Sequence, residues 1–187
     1  MAPTITKTTV LSPPPAPAHC RESDLVELIQ LDPTFKLDVR YATTNNITGA
    51  ALYDEPRVFL QRPAAQQLVH IHRALKAEGY GLVLFDGYRP WSVTKAFWDL
   101  MPDDQKMFVA DPADGSRHNR GCAIDLSLFD LETGENARRA ARDLLRTYMQ
   151  ANGQFFVYPE EWWHWDFKDF REYAVQNIPF REIKTSL

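Results

Sequence analysis

The sequence predicts an α+β fold, with a small, mainly antiparallel central sheet covered by helices. Three observations predict it. Short β-prone runs recur along the chain, bounded by Gly, Pro and Asn. Two other segments, opening at Pro63 and Glu135, repeat their apolar residues at helical spacing. The last two β-prone runs are joined through Pro159-Glu160, a short connection that suits a hairpin and therefore antiparallel pairing.

In chain order, residues 1–20 are rich in Pro, Thr and Ala without apolar periodicity, and are read as a flexible N-terminal arm. A single domain is expected over residues 21–187, a length that suffices for one real core. Leu25 to Ile29 is β-prone, and Leu37 to Tyr41 reads as a short strand or extended loop. Ala42 to Gly49 is polar and turn-rich. Pro63 opens a helix with Leu68, Ile71 and Leu75 on one face, and Gly79 ends it after Lys76. Gly81 to Phe85 is a buried strand. Asp86 to Pro90 is a turn, and Trp91 to Leu100 is the helix that follows. Residues 111–121 form a polar loop, and Cys122 to Phe129 is a strand. Glu135 to Asn152 reads as a helix with Ala140, Leu144, Leu145 and Met149 inside and arginines outside, closed by Gly153. Phe155–Tyr158 and Trp162–Phe167 form the hairpin.

Composition removes several classes of function. Net charge is -4 and no basic stripe exists, which excludes nucleic acid as an expected partner. No apolar run has the length of a membrane span. The N-terminus lacks a continuous apolar segment and is a poor secretory signal, so the expected location is cytoplasmic; removal of such a signal would make it periplasmic. Cys20 and Cys122 lie far apart and neither belongs to a CxxC pair. A disulfide framework and a thiolate zinc site are therefore not expected. Nothing in the sequence indicates an oligomeric state.

Three clusters carry chemistry. The first is Ser116 to Asp125, where His118 lies in a loop and Asp125 enters a strand between Ile124 and Leu126. A carboxylate on such a strand is costly unless it is paired or holds a cation. Alone, the cluster also reads as a strand-end cap beside a surface histidine. The second is Glu160-Glu161-Trp162-Trp163-His164-Trp165-Asp166. Its tryptophans make a poorly hydrated wall that can raise the pKa of a nearby carboxyl. Strand alternation places Glu161 and His164 on opposite faces, so sharing one site requires a bulge between them. Alone, this run is also an aromatic core with a satisfied histidine. The third is Asp86 to Pro90, where Arg89 could meet an anion or pair with Asp86. Together the clusters supply two His, one Asp and a spare Glu, which suits a zinc with three protein ligands and a general base. His70 and His72 lie two apart on a helix and face apart, and no HExxH helix exists.

In this order the clusters resemble the zinc D-alanyl-D-alanine dipeptidases, the enzyme type known from vancomycin resistance. The matching stretches are Gly87-Tyr88-Arg89-Pro90, the S-x-H-x-x-G-x-A-x-D run from Ser116 to Asp125, and the E-x-W-H run from Glu161 to His164. Arg40 to Thr43 and Asn46 to Gly49 also match. The resemblance implies a hedgehog/D,D-peptidase-like fold and one Zn2+ per chain, held by His118, Asp125 and His164. It implies Glu161, not Glu160, as general base, Arg89 as the group that stabilises the developing oxyanion and binds substrate, and Ser116 as a substrate contact. The implied partner is a small D,D-dipeptide, and the implied reaction releases two D-alanines, in peptidoglycan metabolism or glycopeptide resistance. The alternatives are a D,D- or L,D-carboxypeptidase on longer wall peptides and a non-catalytic zinc-stabilised binding domain. One departure stands out. Relatives of this kind usually carry a longer segment between the Asp ligand and E-x-W-H, whereas only Leu126 to Glu160 lies between them here. This implies a more open cleft.

Overall fold

A computed structural model describes residues 12–184. The expected arm falls outside the described residues up to residue 11, and residues 12–20 contain neither helix nor strand. The elements are β1 (Leu25–Glu27), α1 (Leu28–Leu31), β2 (Lys36–Leu37), β3 (Phe59–Gln61), α2 (Arg62–Leu75), β4 (Tyr80–Asp86), α3 (Trp91–Leu100), β5 (Ala123–Asp130), α4 (Arg142–Gln150), β6 (Phe155–Tyr158) and β7 (Glu161–Phe167). The central sheet has the order β2-β4-β5-β7-β6. Only β2 against β4 is parallel; the other pairs are antiparallel. β1 and β3 form a separate two-stranded ribbon.

One face of the sheet is the core. Leu82 and Leu84 of β4 and Ile124, Leu126 and Leu128 of β5 alternate toward it and are buried. Leu68 and Leu75 of α2 and Leu145 and Met149 of α4 cover them. The helical spacing of the buried α2 residues explains why this segment is a helix, and Pro63 is tolerated in its first turn, where a backbone donor has no partner anyway. The opposite phase of β5 carries Asp125 and Ser127, so the strand that builds the core also presents the carboxylate.

Three expected boundaries move. The run from Leu25 to Ile29 is strand only to Glu27 and then turns into α1. Leu37 to Tyr41 contributes one strand residue, Leu37, which with Lys36 forms β2, and then a single tight turn over Arg40–Ala42. The helix expected from Glu135 begins only at Arg142, after one 3-10 turn over Arg139–Ala141. The cause is local competition for backbone donors. Asp130 N–H donates to Glu135 O at 2.9 Å and Ala137 N–H to Leu128 O at 2.8 Å, so residues 131–137 double back on the end of β5. β3 was not anticipated, because three residues beside a proline carry too little pattern.

Candidate metal centre

Two register irregularities build the site. In β4, Leu84 faces Leu126 and Asp86 faces Asp125, so Phe85 is an extra residue and Asp86 is brought beside Asp125. In the β6–β7 hairpin, Val157 faces Trp165 while Tyr158 faces Glu161, so three residues of β7 bulge out. This is the bulge that strict alternation demanded. It returns Glu161 to the side of His164, with Oε2 at 3.8 Å from His164 Nδ1.

The loop before β5 is held as tightly. Ser116 Oγ accepts from His118 N–H at 3.0 Å, and Asn119 Oδ1 accepts from Ser116 N–H at 2.7 Å. Asn119 Nδ2 donates to Arg89 O at 2.8 Å and to Thr94 Oγ1 at 2.9 Å. Arg89 N–H in turn donates to His118 O at 3.1 Å. Asn119 therefore locks the histidine loop to the arginine turn. Gly121 ends this loop at φ +66, a conformation that favours glycine. Gly87 is needed for a different reason. A Cβ there would lie 2.6 Å from Phe59 O, and the close approach lets Gly87 O meet His118 Nδ1 at 2.8 Å.

His118, Asp125 and His164 converge, and one ligand atom from each lies within 4.8 Å of the others, on a scale that a single cation spans. All three are buried. His118 Nδ1 donates to Gly87 O, which leaves Nε2 facing the centre, 3.1 Å from His164 Nδ1 and 3.6 Å from Asp125 Oδ2. His164 Nδ1 lies 3.0 Å from Asp125 Oδ1, and its Nε2 lies 3.0 Å from Asp166 Oδ1. Asp166 also holds Arg117, at 2.8 Å. Each histidine thus has an outer partner that fixes its ring, as metal-binding histidines generally do. Buried oxygen and nitrogen donors of this kind fit a borderline divalent metal.

The electrostatics agree with the geometry. Burial works to raise the Asp125 pKa, but His118 and His164 outweigh it and hold the carboxyl well below its usual range. Burial would lower the His164 pKa, yet Asp125 and Asp166 raise it to about 9. Glu161 is raised, chiefly by desolvation, as the tryptophan wall suggested.

Arg89 lies at the margin. Its Nε and Nη2 donate to Asp86 Oδ2 at 3.0 and 2.6 Å, and Tyr53 O–H donates to Asp86 Oδ1 at 2.6 Å. The guanidinium packs over Phe97 and Tyr41, with centroids at 4.8 and 5.6 Å. Burial disfavours its charge, but Asp86 more than compensates and raises its pKa. Nη1 has no acceptor among the described residues. The pairing of Arg89 with Asp86 is one that the sequence offered. Asn119 and Arg117 carry no such signal, whereas Asp166 shares the face of His164.

The D-ala-D-ala dipeptidase family model matches residues 21–138, a span that contains Arg89, Ser116, His118 and Asp125. A D-alanyl-D-alanine dipeptidase of Escherichia coli (strain K12) is 31% identical over 175 residues, covering 82% of this chain and 89% of the relative. A D-alanyl-D-alanine dipeptidase of Enterococcus faecalis (strain ATCC 700802 / V583) is 33% identical over 178 residues, covering 71% of this chain and 85% of the relative. Among solved structures, VanYB in complex with D-Alanine-D-Alanine superposes with a TM-score of 0.46 at 18% identity, covering 58% of this chain and 71% of that one. The chain belongs to the D-ala-D-ala dipeptidase family and is a peptidase.

Proposed function

We propose that the chain is a zinc dipeptidase that hydrolyses D-Ala-D-Ala to two D-alanines in cell-wall peptide metabolism. The observation that carries this reading is the placement of Glu161 3.8 Å from His164 within a buried His-Asp-His donor set. His118, Asp125 and His164 would hold the zinc, with the fourth position left to water. When bound, zinc supplies Lewis acidity and a water of lowered pKa.

The rest is the work of side chains. Glu161 Oε2 takes the proton of the attacking water and returns it to the leaving amine. Desolvation keeps its carboxylate basic enough for both roles. Arg89 Nη1 donates to the oxygen on which charge develops, while Asp86 and Tyr53 hold the fork in one orientation. Ser116 lies beside the metal ligands and orients the His118 backbone; its hydroxyl proton is left to donate to substrate.

Replacing Glu161 by Ala tests the reading. Turnover of D-Ala-D-Ala should fall by about 10²–10⁴-fold, with zinc content by atomic absorption unchanged. Unaltered turnover would reject Glu161 as the base. Carboxypeptidase action on longer wall peptides is the second reading, favoured by the short segment, Leu126 to Glu160 alone, between Asp125 and the E-x-W-H run. Parallel assays on the dipeptide and on a pentapeptide separate the two.

A further inference from the structure

Each histidine of the centre stands in front of an outer carboxylate, and each of these carboxylates is paired with an arginine. His118 Nδ1 lies 3.8 Å from Asp86 Oδ2, which lies 2.6 Å from Arg89 Nη2. His164 Nε2 lies 3.0 Å from Asp166 Oδ1, and Asp166 Oδ2 lies 2.8 Å from Arg117 Nη1. The aromatic surroundings repeat as well. Arg89 packs over Phe97 and Tyr41. Arg117 packs over Phe170 and Tyr158, with its guanidinium carbon 4.7 and 5.9 Å from the ring centroids. Arg89 has a role in the proposed reaction, and Arg117 has none so far.

Three observations tie Arg117 to the two histidines. Asp166 is buried, and its carboxylate meets only His164 and Arg117 among the described residues, one on each oxygen. Without the arginine, half of a buried carboxylate has no partner, and the group is free to rotate away from Nε2. Arg117 in turn has Asp166 as its only acidic partner among the described residues. Finally, Arg117 directly precedes His118. Its carbonyl accepts from Arg120 N–H at 3.1 Å and from Cys122 N–H at 3.2 Å. Cys122 O accepts from Phe167 N–H at 2.8 Å, next to Asp166. The residue whose backbone carries one histidine thus lends its side chain to the partner of the other.

The outer nitrogen of a metal-binding imidazole decides which nitrogen is presented and how the ring is turned. His164 presents Nδ1 to the centre, 3.0 Å from Asp125 Oδ1, so Nε2 is the outer nitrogen and Asp166 its partner.

We propose that Arg117 is a positioning residue of the metal centre. It holds Asp166 in line with His164 while its backbone places His118, and the two histidines are thereby kept in one mutual geometry. The proposal rests on the zinc reading above and adds a residue that acts on the ligands through Asp166.

The test is zinc affinity, measured by competition with a chelator at fixed pH. Arg117→Gln should weaken binding roughly three- to tenfold, less than the loss of about 10–100-fold that follows from removing an outer partner itself. Arg117→Met keeps the apolar stem over Phe170 and drops the charge, and should lose as much. In an Asp166→Asn background either substitution should change affinity by less than about twofold, because the group through which the arginine acts is already gone. The visible absorption bands of the Co2+-loaded protein follow ligand geometry and give a second readout. They should shift in Arg117→Gln and coincide in Asp166→Asn and the double variant. Unchanged affinity in both single variants overturns the proposal. So does an equal loss in both backgrounds, which would make the arginine a prop of its own loop. A wild-type protein that takes up no zinc overturns the zinc reading and the proposal together, whereas a wild type that binds zinc no more tightly than Arg117→Gln overturns the proposal alone.

Discussion

His164 stands between two carboxylates, Asp125 at 3.0 Å and Asp166 at 3.0 Å. Burial opposes its charge, but the carboxylates prevail and its pKa rises to about 9. A metal must displace that proton to reach the ring. Zinc affinity should therefore climb by up to about tenfold per pH unit between pH 7 and 9 and level off above, where the imidazole is already neutral. Replacing Asp166 by Asn should move the plateau to lower pH and weaken zinc binding by about 10–100-fold, because the ring loses the partner that orients it. Titration against a competing chelator from pH 6 to 10.5 checks both; a flat profile in the wild type would remove the proton from the account.

At the scale of elements, the site is made by two bulges and one close contact. The bulge at Phe85 brings Asp86 beside Asp125, and the bulge in β7 turns Glu161 toward His164. The close contact is Gly87 against β3, where Tyr88 N–H also donates to Phe59 O at 2.7 Å. An Ala at position 87 must push its Cβ against that same carbonyl, which is backbone and cannot swing aside. Gly87→Ala should cost about 1–3 kcal/mol in urea unfolding. It should also lower zinc affinity, since Gly87 O orients His118. Stability within about 0.5 kcal/mol of wild type would show that the ribbon of β1 and β3 yields instead.

At the scale of the whole molecule, a buried histidine outside the metal centre is structural. His72 is fully buried, stacks on Phe35 at 4.2 Å between ring centroids, and accepts Leu82 N–H at 3.0 Å through Nδ1. Its Nε2 meets Thr34 Oγ1 at 2.9 Å. Burial lowers its pKa to about 4, helped by Lys76, while Asp32 acts the other way. The unfolded chain takes up a proton near pH 6.5 that the folded chain refuses until about pH 4. Stability should accordingly fall as pH drops through this window, by on the order of 2–3 kcal/mol from this group. Urea titrations at pH 7 and 4.5 should show a steeper loss in the wild type than in His72→Gln. Equal slopes would assign the acid sensitivity elsewhere.

The face of α2, the alternation of β5 and the three chemical clusters were all legible in the chain itself. Buried strands and helices repeat at 2.0 and 3.6 residues, and zinc chemistry needs a short menu of side chains. The need for a bulge between Glu161 and His164 was legible too, because strict alternation could not serve both. Its location, and the one at Phe85, came only from how β6 and β4 register against their neighbours. The late start of α4 was invisible for a similar reason. The arginines and apolar residues after Glu135 have a sound helical pattern, yet residues 131–137 spend backbone donors on the end of β5. The outer partners of the histidines, Gly87 O and Asp166, and the clamp made by Asn119 also belong to tertiary structure. Periodicity and side-chain chemistry are local properties that a sequence carries by itself. Strand register and close backbone approach depend on residues far apart in the chain, and only packing decides them.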